Sequence, residues 1–412
     1  METLLTRQRI TLSQPVQRIL AGLLFVFLVA LLAVGIHAVM AGNTVGMDLH
    51  TFYLAARNVF VDHESPYAEN VAVESQLSVL RRLATENDDQ MAFVYPPYSL
   101  LPLAPLAGLP FDWAQAIWMA FFIVGSVSAM LLVFPRRPLL PAMGVLLFYP
   151  FTFGIILGNF VNLVALVILV AISKVMIGSK PPKKWQIFFG IFLAWATIKP
   201  QFFWLYLICI LLASLKKRLW PLMISFGISL VGFFGISFLL VPNWPVLWLA
   251  RVAKHVGYIS KFPNITLFLN ELRNPADART LTIALIALFV GVTAWALLSW
   301  WKGRLSTLVL LAWVGIATYL IHPRNFAYAQ IAFLIPLLVW AQTQKSQRSL
   351  PVILFYWGAL ILSWGIFFLG KSASAGPLVE EWGLVAGCAW MFWLLVWPPA
   401  GQIQTPLNSR PV

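Results

Sequence analysis

ILAGLLFVFLVALLAVGIHAVMA runs from Ile19 to Ala41, and no Asp, Glu, Lys or Arg interrupts it. A bilayer crossing needs about 20 mostly apolar residues, so this stretch is long enough to span. It exceeds the apolar core of a secretory signal, roughly 7 to 15 residues, and lacks a clean A-x-A cleavage site, so we read it as a retained anchor. Working outward, further apolar runs cover 112–134, 139–157, 161–178, 185–198, 200–214, 221–241, 280–301, 305–321, 328–343, 351–370 and 382–398. The expected fold is all-α, a polytopic transmembrane bundle of about twelve spans with both termini inside. The pair flanking Lys199 is short enough to form a re-entrant hairpin instead, and 97–109 is too short to cross upright.

Composition agrees. The 412 residues are 60% hydrophobic and only 10% charged, with a mean hydropathy of +0.84, too few charges to cover a water-facing surface. A net charge of +14 does not indicate nucleic acid, because the basic residues fall in short clusters between spans. Arg7, Arg9 and Arg18 precede the first. Arg136 and Arg137, Lys180 to Lys184, Lys216 to Arg218, Lys302 and Arg304, and Lys345 and Arg348 punctuate the later ones. The positive-inside rule makes these turns cytoplasmic. Asp and Glu barely enter that rule, yet apart from Glu2 they all lie on the other side: Asp48 to Asp112, Glu271, Asp277, Glu380 and Glu381. Cys209 and Cys388 sit within apolar spans and imply no disulfide framework.

The whole chain, 1–412, reads as one integrated membrane domain, with 1–18 and 399–412 cytoplasmic and two large extracytoplasmic loops. The first, 42–95, carries a helix starting near Asp48, a turn at Ser65-Pro66-Tyr67, and an amphipathic helix around Val73, Leu77 and Leu80 lying on the membrane surface. The second, 242–279, places Trp244 and Trp248 at the interface beside a basic face of Arg251, Lys254 and His255.

Four places carry possible chemistry. Asp48, beside His50 and Tyr53 at the outer end of the first span, is positioned as a desolvated base, or as an N-cap. Lys199 is costly in an apolar span, about 2.5 to 3.5 kcal/mol on insertion scales, which marks a functional site unless it snorkels. Arg324, in Ile321-His322-Pro323-Arg324-Asn325-Phe326, offers a fork suited to phosphate, and with His255, Lys254 and Arg251 it would ring an anion on the face that carries Asp48. Gly158-Asn159-Phe160-Val161-Asn162 forms an outside turn whose amides bind sugar hydroxyls or cap the turn. Asn264-Ile265-Thr266 is a sequon and a weak signal. No Walker motif, GxGxxG after a strand, HExxH or Cys/His metal cluster is present, so neither cofactor nor metal is expected.

In their order, these segments resemble polyprenol-phosphate-sugar-dependent glycosyltransferases of the GT-C type, closest to family 87, the bacterial mannosyltransferase-like group. The resemblance rests on Asp48 to Arg57 with Ser65-Pro66-Tyr67, Phe93-Val94-Tyr95-Pro96-Pro97 with Leu101 to Pro110, Gly158 to Asn162, Lys199-Pro200, Pro263 to Leu267, and His322-Pro323-Arg324-Asn325. It covers roughly 19–340. The chain departs from the family's frequent Gly-Gln-x-Asn at Gly158 to Asn162, and from its frequent late His or Asp, where Ala327 to Gln330 stand. The resemblance implies a hexosyltransferase in the bacterial cytoplasmic membrane, facing outside, that moves mannose from a polyprenyl-phosphate donor to a glycan or glycolipid acceptor. Asp48 would be the base. Lys199, Arg324, His322, Arg251, Lys254 and His255 would hold the donor phosphate, and Tyr53, Arg57, Asn159, Asn162 and Asn264 the sugar and acceptor. The competing reading is a transporter or lipid-linked glycan flippase, against which stands the lack of acidic residues inside the spans.

Overall fold

A computed structural model describes residues 13–85, 88–259, 275–321, 327–344, 350–372, 386–387 and 389–390. Every regular element among them is helical. The first helix, α1 (Gln14–Met40), starts on Pro15, whose missing N–H costs nothing in a first helical turn. It buries only Ala33, and Leu20, Leu23, Leu24, Val26, Phe27 and Leu31 all face outward. Such a surface suits a lipid environment. Along its length α1 lies against α4 (Phe111–Val133).

Between them the first loop folds as expected at α2 (Met47–Arg57), which continues into a π-helical turn, Asn58–Asp62. The Ser65 turn is also present: the Tyr67 amide donates to Ser65 Oγ and the Ala68 amide to the Ser65 carbonyl. α3 (Glu69–Leu80) follows, but its inward face is Val71, Ala72, Ser75 and Gln76. Of the expected stripe, Leu77 is 48% exposed while Val73 and Leu80 are half-buried. Residues 97–109 form a 3-10 helix, Pro97–Leu106, buried along Tyr98, Leu100, Leu103 and Leu106. Pro102 and Pro105 supply no N–H, which denies this segment the regular α-helical ladder.

The expected span 139–157 is not straight. It divides into α5 (Leu139–Leu146) and α6 (Tyr149–Leu157), bent by 66°. Pro150 has no N–H for the Leu146 carbonyl four residues back, and the Thr152 hydroxyl takes that carbonyl instead, at 2.6 Å. Then come α7 (Val161–Ala171), extended by a π turn Ile172–Ile177, α8 (Lys183–Ala196), α9 (Pro200–Lys216), α10 (Trp220–Leu240) and α11 (Trp244–Ile259). The chain continues through α12 (Pro275–Trp301), α13 (Thr307–Ile321), a 3-10 turn Ala327–Gln330, α14 (Ile331–Thr343) and α15 (Leu350–Ser372).

Four helices among the described residues are long and apolar enough to cross a bilayer: α1, α4, α10 and Thr280–Trp301 of α12. The bent pair α5 and α6 makes a fifth. The other apolar runs are helical where expected, most of them shorter, as at Pro200–Lys216 and Ile331–Thr343, while α15 has 23 residues. The last expected span, 382–398, lies largely outside the described residues.

Lysines close one end of the bundle. Lys216 Nζ donates to the Trp301 carbonyl at 2.8 Å and Lys217 Nζ to the Gly178 carbonyl at 3.0 Å, so each cation meets carbonyls at or just past the end of another helical segment. From there α9 runs about 25 Å to Lys199. α8 and α9 thus form a hairpin whose tip, Thr197 to Lys199, meets the first loop.

Candidate functional site

Three chain segments meet at Asp48, and α4 holds them together. The side chain of Gln115 is completely buried. Its Oε1 accepts the Val45 and Gly46 amides, each at 3.1 Å, and its Nε2 donates to the Asn43 carbonyl at 2.7 Å. One glutamine thereby fixes the turn between α1 and α2. One helical turn further along α4, Trp118 Nε1 donates to the Gly158 carbonyl at 3.0 Å and fixes the turn between α6 and α7.

Gly158 has φ +70, the left-handed region that only glycine enters without strain, and a Cβ there would stand 2.6 Å from Leu49 Cβ. Both the conformation and the close approach require glycine. With Leu49 seated on Gly158, the neighbouring side chains meet: Asn159 Nδ2 donates to Asp48 Oδ2 at 2.6 Å. Asn159 Oδ1 accepts the Val161 amide, which orients the amide group so that its N–H faces the carboxylate.

Asp48 is not the N-cap of α2. Gly46 occupies that position and no side chain caps it. Asp48 stands in the first turn, where the helix dipole favours a negative charge, and it is partly exposed.

One turn along the same face of α2, Phe52 forms an aromatic floor with Phe160 (ring centroids 4.5 Å apart) and Tyr95 (4.8 Å). Lys199 lies on the far side of that floor, only 2% exposed. Its Nζ donates to Tyr95 Oη at 2.8 Å and sits over the Tyr95, Phe52 and Phe202 rings at 4.7, 5.9 and 5.9 Å. The hairpin tip is held there by Tyr98 and Thr197, whose hydroxyls hydrogen-bond at 2.8 Å, while the Tyr98 amide donates to Ser237 Oγ. Lys199 therefore does not snorkel to water. A phenol and three rings compensate its charge.

The remaining expected residues are distributed differently. Tyr53 is turned away from Asp48, buried, and donates its hydroxyl to the Leu109 carbonyl at 2.5 Å. Arg57 is exposed at the far end of α2, 3.7 Å from the Asp62 carboxylate, nine residues and half a helical rotation from Asp48. Asn162 is fully buried and its Nδ2 donates to the Phe151 carbonyl, while its Oδ1 occupies the space over Gly154, so it clamps α6 to α7. Arg251 donates from both Nε and Nη2 to the Tyr67 carbonyl, at 3.0 and 2.6 Å, and lies 3.5 Å from Glu69. Lys254 is exposed and His255 half-buried on the same helix. Arg251 directs its fork at the first loop, and the centre of the anion ring expected around Arg324 is not among the described residues. His322, Arg324 and Asn264 lie outside the described residues.

His50 is buried, its Nδ1 has no hydrogen-bond partner, and its ring meets Phe111 edge-on at 4.5 Å. Burial pushes its pKa down to about 4, so it is neutral at pH 7 and supplies no positive charge to the site. Among the described residues no three His, Cys, Asp or Glu side chains gather as a metal site would require. An apolar cleft lined by Phe148, Gln330, Phe333, Leu337, Leu362 and Trp390 shares no residue with the Asp48 cluster. None of the described residues lining it is ionisable.

Sequence reasoning missed Gln115, Trp118, Phe52 and Tyr95. The first two are polar groups inside an apolar run, a signal in itself, since a buried polar side chain needs a partner. The pairing of Tyr95 with Lys199, 104 residues apart, left no local signal. Comparison of the chain with protein-family models, curated proteins and solved structures finds no match.

Proposed function

We propose that this chain is a multi-pass membrane glycosyltransferase of the GT-C type. It transfers a hexose, in the first instance mannose, from a polyprenyl-phosphate donor to a glycan or lipid acceptor outside a bacterial cytoplasmic membrane. The observation that carries this reading is a carboxylate and an ammonium that border one buried aromatic cluster, Asp48 held by Asn159 and Lys199 held by Tyr95.

The reaction is a single inverting displacement. Asp48 takes the proton of the acceptor hydroxyl as its oxygen bonds to the anomeric carbon. The bond from that carbon to the phosphate oxygen breaks, and the electron pair leaves on the phosphate. The leaving group is already an anion, so a fixed cation offsets its growing charge and no acid needs to protonate it. Gln115, Trp118 and Gly158 keep the base in place, which matters because the base must lie within hydrogen-bond reach of the proton it takes.

The test is sugar transfer by the purified protein from radiolabelled polyprenyl-phosphate mannose, compared with Asp48→Asn. An asparagine at position 48 still accepts the Asn159 N–H but cannot take a proton. It loses the dipole interaction, about 0.3 to 1 kcal/mol. Transfer should fall at least about a hundredfold while the melting temperature stays near wild type. An active Asn variant would remove Asp48 from the chemistry. A wild-type protein that moves the lipid donor across a bilayer without transferring sugar would make the chain a flippase.

A further inference from the structure

Lys199 is the obvious phosphate ligand by charge, yet its surroundings do not let a substrate reach it directly. It is 2% exposed, and aromatic rings stand over its ammonium. The group presented at the surface of this arrangement is Tyr95, which is only partly buried.

The direction of the bond between them is fixed by chemistry. An ammonium has three donors and no acceptor, so the phenol oxygen must accept, and its own proton must point elsewhere. Among the described residues no acceptor takes that proton. The O–H is therefore a directed donor with a full positive charge 2.8 Å behind its oxygen, a combination that favours an anionic acceptor.

The backbone around it is pinned. Tyr67 Oη donates to the Tyr95 carbonyl at 2.7 Å, Trp248 Nε1 donates to the Val94 carbonyl at 3.0 Å, and two prolines follow at Pro96 and Pro97. The fork of Arg251 closes on the Tyr67 carbonyl, tying α11 into the same support.

We propose that the Tyr95 hydroxyl is the group that binds the phosphate of a polyprenyl phosphate, and that Lys199 is a positioning residue acting through Tyr95 rather than a phosphate ligand itself. This rests on the glycosyltransferase reading for its substrate. During transfer Tyr95 keeps its proton and shortens its hydrogen bond to the departing oxygen as negative charge collects there.

A double-mutant cycle tests it. Tyr95→Phe keeps the ring against Phe52 and Phe93, and Lys199→Met removes the charge while keeping a long side chain. Binding of polyprenyl monophosphate to protein in nanodiscs of zwitterionic lipid is measured for wild type, both single variants and the double variant, with inorganic phosphate as a parallel probe. Radiolabelled sugar transfer is followed separately.

A lost hydrogen bond to a charged group predicts roughly 10- to 100-fold weaker lipid-phosphate binding for Tyr95→Phe. Lys199→Met should also weaken binding, and the double variant should be no weaker than Tyr95→Phe. Additive losses, or a wild-type affinity in Tyr95→Phe, would show Lys199 meeting phosphate directly and overturn the proposal. If Tyr95→Phe does not fold because it strands the lysine charge, the double variant against Lys199→Met carries the comparison. There an equal affinity overturns the proposal and a weaker one supports it. Binding of inorganic phosphate as strong as that of the lipid would assign the site to free phosphate and overturn the lipid assignment. Wild-type protein that binds no polyprenyl phosphate but transfers sugar sinks the Tyr95 proposal alone. Protein that binds through Tyr95 without transferring sugar sinks the enzyme reading alone.

Discussion

At the scale of single residues, the surroundings of Asp48 are built from side chains that do one thing each. Asn159 faces the carboxylate, Gly158 permits the approach, and Gln115 holds the turn that precedes α2. His50, two residues on and on a different face of the helix, is a neutral ring in an apolar seat, and this has a measurable consequence. Its pKa in the folded protein, about 4, lies below the 6.5 of a free imidazole. Between those values the unfolded chain binds more protons than the folded one, so stability is full above pH 6.5 and is lost as pH falls through 4. The melting temperature should therefore drop between pH 7.5 and pH 4.5, and His50→Phe, which fills the same seat without titrating, should drop less. Equal slopes in the two proteins would mean that His50 is not the group responsible.

At the scale of elements, the α8–α9 hairpin delivers Lys199, and its position depends on how closely α8 lies against α10. Gly190 sets that distance: a Cβ there would stand 2.5 Å from the Leu222 carbonyl and 2.7 Å from the Phe226 amide, both backbone atoms that cannot swing aside. Gly190→Ala should force the helices apart and cost about 1 to 3 kcal/mol, as overpacking does. Gly227→Ala, where nothing lies within 4 Å, should be neutral or mildly stabilising. Thermal unfolding of the two variants in detergent checks the contrast, and equal melting temperatures would show that α8 has room to move. The same elements mark the limit of what the sequence reveals. The apolar run lengths located α1, α4 and α10 to within a few residues, because one long run has one stable structure in lipid. The kink between α5 and α6 depended on reading Pro150 as a break that Thr152 could satisfy, and the inward face of α3 on knowing what it packs against. Asp48 and Asn159 were both legible as polar groups at outer ends of apolar runs. Their contact was not, because it arises from Leu49 seated on Gly158, more than a hundred residues away in sequence.

At the scale of the whole molecule, two polar layers stand at opposite ends of the bundle, and they differ in charge. One holds Asp48, Glu64, Glu69 and Asp112. The other holds the basic turns, tied together where Lys216 meets the end of α12 and Lys217 meets the segment after α7. From the positive-inside rule we propose that the lysine layer faces the cytoplasm and the Asp48 layer the outside. Glu64, exposed in the first loop, and Arg304, exposed just past α12, report the two layers without touching either site. Cys209 is buried, so with Cys388→Ser as background a single introduced thiol can be read. In intact cells a membrane-impermeant maleimide should label Glu64→Cys, and should label Arg304→Cys only after permeabilisation. The reverse pattern would place Asp48 on the cytoplasmic side, where a lipid-linked donor facing outside cannot reach it, and the proposed reaction would fail on topology alone.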